Sequence, residues 1–145
     1  MTMLKEVKSK GLYMGKLSHG ADLLDEITGI CSQKHVRLGR IEALGAVQHA
    51  RLGYYDQKSR EYDYFILDQG LEITNLVGNV SVKQGQPIVH AHITLTDSAG
   101  RAYGGHLAQG TKVFACEIVL EVFEGPTLER GYDEATGLPL WKQEE

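Results

Sequence analysis

The stretch His90-Ala91-His92-Ile93-Thr94-Leu95-Thr96-Asp97-Ser98-Ala99-Gly100-Arg101-Ala102-Tyr103-Gly104-Gly105-His106 decides how this chain folds. Its first arm is an apolar, β-branched run that carries two histidines two positions apart. Side chains two apart on a strand point to the same face, so His90 and His92 converge. The turn decides whether His106 joins them. Asp97 at the first turn position and Gly100 at the fourth suit a type I turn closed by a left-handed residue, the three-residue hairpin loop with a bulge. In that register Asp97 pairs with Arg101 and His92 falls opposite His106, with all three imidazoles on one face. A two- or four-residue loop would slip the pairing by one residue and send His106 to the other face.

Three converging imidazoles point to a metal. Neutral imidazole suits zinc, and three protein ligands leave a fourth position open for water or an anion. An open site of this kind supports catalysis, because bound water can ionise near neutrality. A carboxylate acting as general base is the usual companion. Glu117 is the catalytic candidate and Glu121 a second in-strand one, with Asp97 and Glu72 weaker; no spacing rule places any of them. The cupin HxH motif would need a glutamate three or four positions after the second histidine. Leu95 and Thr96 stand there, so the cupin reading is rejected. The other histidines have ordinary readings: His19 in a loop, His35 as a helix C-terminal cap, and His49 in an alternating strand, the last a secondary site candidate.

With 145 residues, 42% of them hydrophobic, the chain has enough material for one domain over 1–145 with a core of its own. The net charge is -4, from 15 Lys+Arg against 19 Asp+Glu, with no basic tail. That balance argues against strong non-specific nucleic-acid binding, which depends on phosphate neutralisation. Cys31 and Cys116 are far apart and lack CxxC spacing, so they read as buried free thiols in a reducing compartment. No run reaches membrane-spanning length, and the amino terminus has no apolar core of a signal peptide. The expected location is cytoplasmic, with no membrane partner.

Outward from the histidine stretch, the chain reads as strands around one helix. A first strand falls around Leu12–Leu17. Asp22 to Lys34 is the clearest helix: Leu23, Leu24, Ile27, Ile30 and Cys31 form one stripe, and Asp22 serves as N-cap. Gly29 inside it suggests close packing against a sheet. Val36–Leu44 and Val47–Tyr55 form two strands, or one long strand with a bulge at Gly45. Glu61–Leu67, Leu71–Val82, Ile88–Thr96 and Lys112–Phe123 follow as strands. In the last, Phe114, Cys116, Ile118, Leu120 and Val122 line one face and Ala115, Glu117, Val119 and Glu121 the other. In the tail, Leu138, Leu140 and Trp141 are expected to pack back on the body. One helix against a mostly antiparallel sheet system makes the fold class α+β.

The runs Leu52-Gly53-Tyr54-Tyr55-Asp56, Glu72 with Leu76-Val77-Gly78-Asn79, Pro87-Ile88-Val89-His90-Ala91-His92 and Gly104-Gly105-His106-Leu107 together resemble the PCC (or PPC) domain, the domain conserved in plants and prokaryotes. The likeness covers nearly the whole chain, and the HxH and Gly-Gly-His-Leu elements are its most specific parts. The carboxyl-terminal Tyr132-Asp133-Glu134, Gly137-Leu138 and Leu140-Trp141 also look like prokaryotic members. The resemblance implies a flanked antiparallel sheet similar to the acetolactate decarboxylase fold and a homotrimer. It also implies zinc on His90, His92 and His106. A small anionic ligand at the open position is the leading functional expectation. A DNA-binding regulator with a structural metal is the alternative. Plant members pair the domain with AT-hooks, and no Arg-Gly-Arg-Pro hook occurs here.

Overall fold

The computed structural model describes residues 2–143. Its elements, in chain order, are β1 (Lys8–Lys16), α1 (Leu23–Gln33), β2 (Gly39–Asp56), β3 (Glu61–Leu67), β4 (Leu71–Lys83), β5 (Gln86–Thr96), β6 (Ala102–Leu107), β7 (Lys112–Glu124), β8 (Arg130–Tyr132) and β9 (Pro139–Trp141). The main sheet runs β1-β7-β2-β4-β5-β6, with every pairing antiparallel, and β3 pairs with the second half of β2. The path closes on itself, because Leu52 and Gly53 of β2 also pair with Leu107 and His106 of β6. The result is a curled sheet around a core, with α1 packed on it, which is the expected α+β class. The closed ring β2-β4-β5-β6 holds the histidine hairpin on both sides.

The long strand β2 makes that closure possible, with its first half between β4 and β7 and its second half against β3 and β6. Its register shifts at Gly45, so the single strand with a bulge is the reading that holds. Gly45 has φ 140, and a Cβ there would run into the Ala115 carbonyl oxygen, so only glycine fits. Gly105 plays the matching part on β6. A Cβ at Gly105 would sit 2.9 Å from the Gly53 carbonyl oxygen, so the bare backbone lets β6 close against β2.

Three local expectations change. The first strand starts at Lys8, four residues earlier than read, because the backbone pairs along β7 from Glu124 onward. Phe114 leaves the core face: it is 57% exposed while Val113 is fully buried. Ala46 pairs with Ala115 but Val47 with Val113, so Phe114 is an extra residue in β7 and flips the alternation. Gly29 does not mark close packing, since a Cβ there would meet nothing within 4 Å.

Helix α1 forms as its pattern requires. Asp22 accepts from the Asp25 amide at 3.0 Å, and Leu23, Ile27 and Cys31 are buried. His35 ends it in the left-handed conformation, φ 54, as a cap. Both cysteines are buried and free, and burial pushes each thiol up to about 11, which keeps them unreactive.

Candidate metal centre

The hairpin that carries the histidines has the predicted turn. The Asp97 amide donates to the Arg101 carbonyl at 3.0 Å, and the Gly100 amide to the Asp97 carbonyl at 2.9 Å. Gly100 is left-handed, φ 75. The Asp97 carboxylate clamps the loop, accepting from the amides of Ala99 (2.9 Å) and Arg101 (3.0 Å), from Arg101 Nε (2.9 Å) and from the Tyr103 hydroxyl (3.2 Å). These contacts hold its pKa below the ordinary carboxylate value despite burial, which acts the other way. Thus Asp97 fixes the register rather than joining the site. In that register His92 lies opposite His106.

Along β5, Val89, Ala91, Ile93 and Leu95 enter the core, so His90 and His92 stand on the opposite face. One candidate ligand nitrogen from each of His90, His92 and His106 lies within 4.8 Å of the others. Around a tetrahedral zinc, with bonds of about 2.0–2.1 Å, the nitrogens would stand about 3.3 Å apart. Closing that gap needs roughly an ångström of movement per side chain, a small rotamer adjustment. Two further observations fit a metal. His106 Nδ1 is buried with no hydrogen-bond partner among the described residues, a position normally filled by something outside the chain. The pKa of His90 is pushed down to about 4, by burial first, then by Arg130 and the neighbouring imidazoles. His106 is lowered by burial, His92 and Arg130. Both rings are therefore neutral near pH 7, the form that coordinates.

The remaining sequence candidates lie elsewhere. Among the described residues no carboxylate joins the histidine cluster. Glu117 is on the same outer face but three strands away, since it pairs with Leu44 of β2, beyond which lie β4 and then β5. Three strand spacings are roughly 14 Å. It lines a separate hollow with Met14, Lys16, Leu44 and Thr74, so the structure removes it as a companion of these histidines. Glu121 accepts from Arg40 at 2.7 Å. Glu72 sits opposite Thr96 at the far end of the hairpin. His19 is satisfied by the Phe114 carbonyl (2.7 Å) and Gln48 (3.2 Å), and His49 pairs with Lys112 on β7.

Three further residues, Tyr62, Arg130 and Trp141, complete the surroundings. Tyr62 of β3 packs on His106 with ring centroids 4.9 Å apart. It lies over Gly53, where a Cβ would stand 3.1 Å from its ring. Arg130 of β8 is only 7% exposed. Its Nε donates to Ser81 Oγ (3.0 Å), one terminal nitrogen to the Pro139 carbonyl (3.0 Å) and the other to Asn79 Oδ1 (2.9 Å). Trp141 of β9 donates to the same Ser81 oxygen at 3.0 Å, and its ring centroid is 5.3 Å from the guanidinium. Trp141 therefore does pack back on the body, while Leu140 stays 38% exposed. Arg130 stands in an irregular tail where no periodicity or spacing flags it. The terminal aromatic was the one hint that this segment docks.

The sequence model of the Plants and Prokaryotes Conserved (PCC) domain matches residues 4–124. The chain belongs to the PCC family. This PCC chain superposes on a metal-containing protein from Archaeoglobus fulgidus with a TM-score of 0.93 and 39% identity, covering 98% of this chain and 100% of the other. A plant- and prokaryote-conserved (PPC) protein from Pyrococcus horikoshii matches with a TM-score of 0.92 and 30% identity over 99% of both chains. A proposed DNA-binding protein from Bacteroides thetaiotaomicron matches at 0.85 and 27%, over 95% and 96%. In sequence, two proteins named Bifunctional protein GlmU, from two strains of Synechococcus sp., are 31% and 33% identical over 128 residues. That match takes in 87% of this PCC chain and 19% of theirs, so the chain spans about a fifth of the length of these curated relatives.

Proposed function

We propose that this PCC protein holds one zinc ion on His90, His92 and His106 and binds a small anionic molecule at the open fourth position. The carrying observation is the convergence of three ligand nitrogens within 4.8 Å with no carboxylate among them. Three neutral ligands leave a divalent ion with its full charge in a half-buried site, and such a charge favours an anionic fourth ligand. When bound, zinc supplies Lewis acidity and lowers the pKa of attached water. The chain's own residues keep His90 and His106 neutral, through burial, and hold the spacing of the hairpin, through the Asp97 clamp. The metal-containing relative supports a metal, and the histidine set supports zinc over harder ions.

The same reading has the protein act in the cytoplasm as a homotrimer. Met14, Leu44 and Val77 stand exposed on the outer face of the main sheet, which gives a second copy an apolar surface to cover. Light scattering of the purified protein is expected to return three times the chain mass, and a monomer would remove this part. Elemental analysis of protein made without a histidine tag tests the metal. About one zinc per chain is expected, lost in His90→Ala. Less than a third of a metal ion per chain, unchanged in that variant, would overturn the reading.

The second reading, a DNA-associated regulator with a structural metal, is favoured by the name given to the Bacteroides relative. The net charge of -4 offers it little phosphate neutralisation. A duplex mobility shift that weakens steeply with salt would support it, and no shift at low salt would remove it.

A further inference from the structure

Among the described residues, Arg130 holds its positive charge in the interior with no anion paired to it. Among the described residues its hydrogen-bond partners are a hydroxyl, an amide oxygen and a backbone carbonyl, all neutral. None of their ion pairs includes it. A guanidinium has five N–H groups, and three are accounted for here, so two remain for a further acceptor. A tail clamp alone would not need this charge, since burying a cation without a counterion is costly and a neutral donor could tie Ser81 to β9.

The guanidinium also shares a pocket with two of the metal histidines, His90 and His106. A cavity of about 350 Å³ is lined by Arg130, His90, His106 and Tyr62, by apolar side chains, Leu24, Ile88 and Leu138 among them, and by Asp25, whose carboxylate accepts from Gln109 Nε2 at 2.7 Å. With a divalent ion on the imidazoles, two cations would face one small space, an arrangement that an anion between them stabilises. A carboxylate matches the planar fork of arginine and is also a good zinc ligand. The apolar wall favours a ligand with a hydrocarbon body over a bare inorganic anion.

We infer that the ligand is a small organic carboxylate, its carboxyl group held by Arg130 beside the metal position and its hydrocarbon body lying between α1 and the segment Leu138–Leu140. This rests on the zinc reading for one pole of the site and on Arg130 for the other. Arg130 is thus a specificity-determining residue for the anionic head, and Leu24 and Leu138 select the body.

Isothermal titration of zinc-loaded protein with hexanoate, acetate, hexanol and inorganic phosphate tests it, with zinc content measured on the same samples. Hexanoate is expected to bind at least tenfold more tightly than each of the other three. Arg130→Gln should keep its zinc and lose tenfold or more in hexanoate affinity with hexanol unchanged. Because that variant could loosen β8–β9, Leu138→Ala provides a second arm: hexanoate weakens and acetate does not. Hexanoate binding that matches hexanol or phosphate in fully zinc-loaded wild type overturns the inference and leaves the metal reading standing. Hexanoate binding that needs Arg130 in protein unable to hold zinc would sustain the carboxylate site and defeat the metal reading. Failure of hexanoate to bind with or without zinc overturns the carboxylate site.

Discussion

Two hairpins meet at the candidate site, and they are built in opposite ways. The β5–β6 hairpin is local. One loop, clamped by Asp97, sets a register that brings His90, His92 and His106 together. The β8–β9 hairpin pairs over only three residues. It is held by contacts to residues some fifty positions away, Asn79 and Ser81. The first contributes three converging imidazoles, two of them kept neutral by burial. The second contributes a charge that its own segment cannot balance. A site can therefore be half legible and half hidden within one cavity.

The comparison breaks most sharply if the first hairpin loses its turn. Deleting Ala99 shortens the loop to two residues and slips β6 by one, which sends His106 to the core face. Zinc affinity is expected to fall by more than a hundredfold in competition with a chromophoric chelator, while the circular dichroism stays β-rich. Retention of wild-type affinity would show that the loop does not set the site.

Acid separates the two hairpins next, because imidazole titrates in the accessible range and guanidinium does not. In metal-free protein His90 has a folded pKa of about 4, against an ordinary value near 6.5. The unfolded chain therefore takes up the proton first. The neutral ring's contribution is complete above pH 6.5 and is lost as pH falls through 4. After allowance for partial solvation, the loss is about 2 kcal/mol, readable from denaturant midpoints across that window. His106, lowered as well, adds in the same direction. Flat stability between pH 7 and 4 would contradict the burial of these rings.

The smallest of the three effects probes the second hairpin. Trp141→Ala removes the hydrogen bond to Ser81 and the ring beside Arg130. A loss of about 1–2 kcal/mol is expected, given partial exposure of the ring. It should appear as faster amide exchange confined to Arg130–Tyr132 and Pro139–Trp141, with zinc stoichiometry unchanged. Loss of zinc would mean that the two hairpins are not separable.

What could be read ahead of the structure follows the range of the forces involved. The α1 stripe, the Asp22 cap, the strands and the His92–His106 register all rest on periodicity and turn chemistry, which act within a few residues. Errors arose where a single extra residue intervened. Phe114 is consistent with the alternation of β7 in sequence, yet the bulge there turns it outward and puts Val113 in the core. Glu117 obeyed the same alternation but lies three strands from β5, a separation that only sheet order sets. The role of Gly105 is likewise set by the approach of β6 to β2, a contact between distant segments.

By itself, then, the sequence determined an α+β chain with a three-histidine hairpin, because alternation and one turn type leave a single face on which His90, His92 and His106 agree. Tertiary structure alone decided what faces them. Strand order placed Glu117 out of reach, ring closure through β2 put Tyr62 against His106, and docking of the tail on β4 brought in Arg130. Those neighbours come from contacts between distant segments, which carry no period or spacing along the chain. Their positions are fixed only when backbone pairing and burial are satisfied everywhere at once.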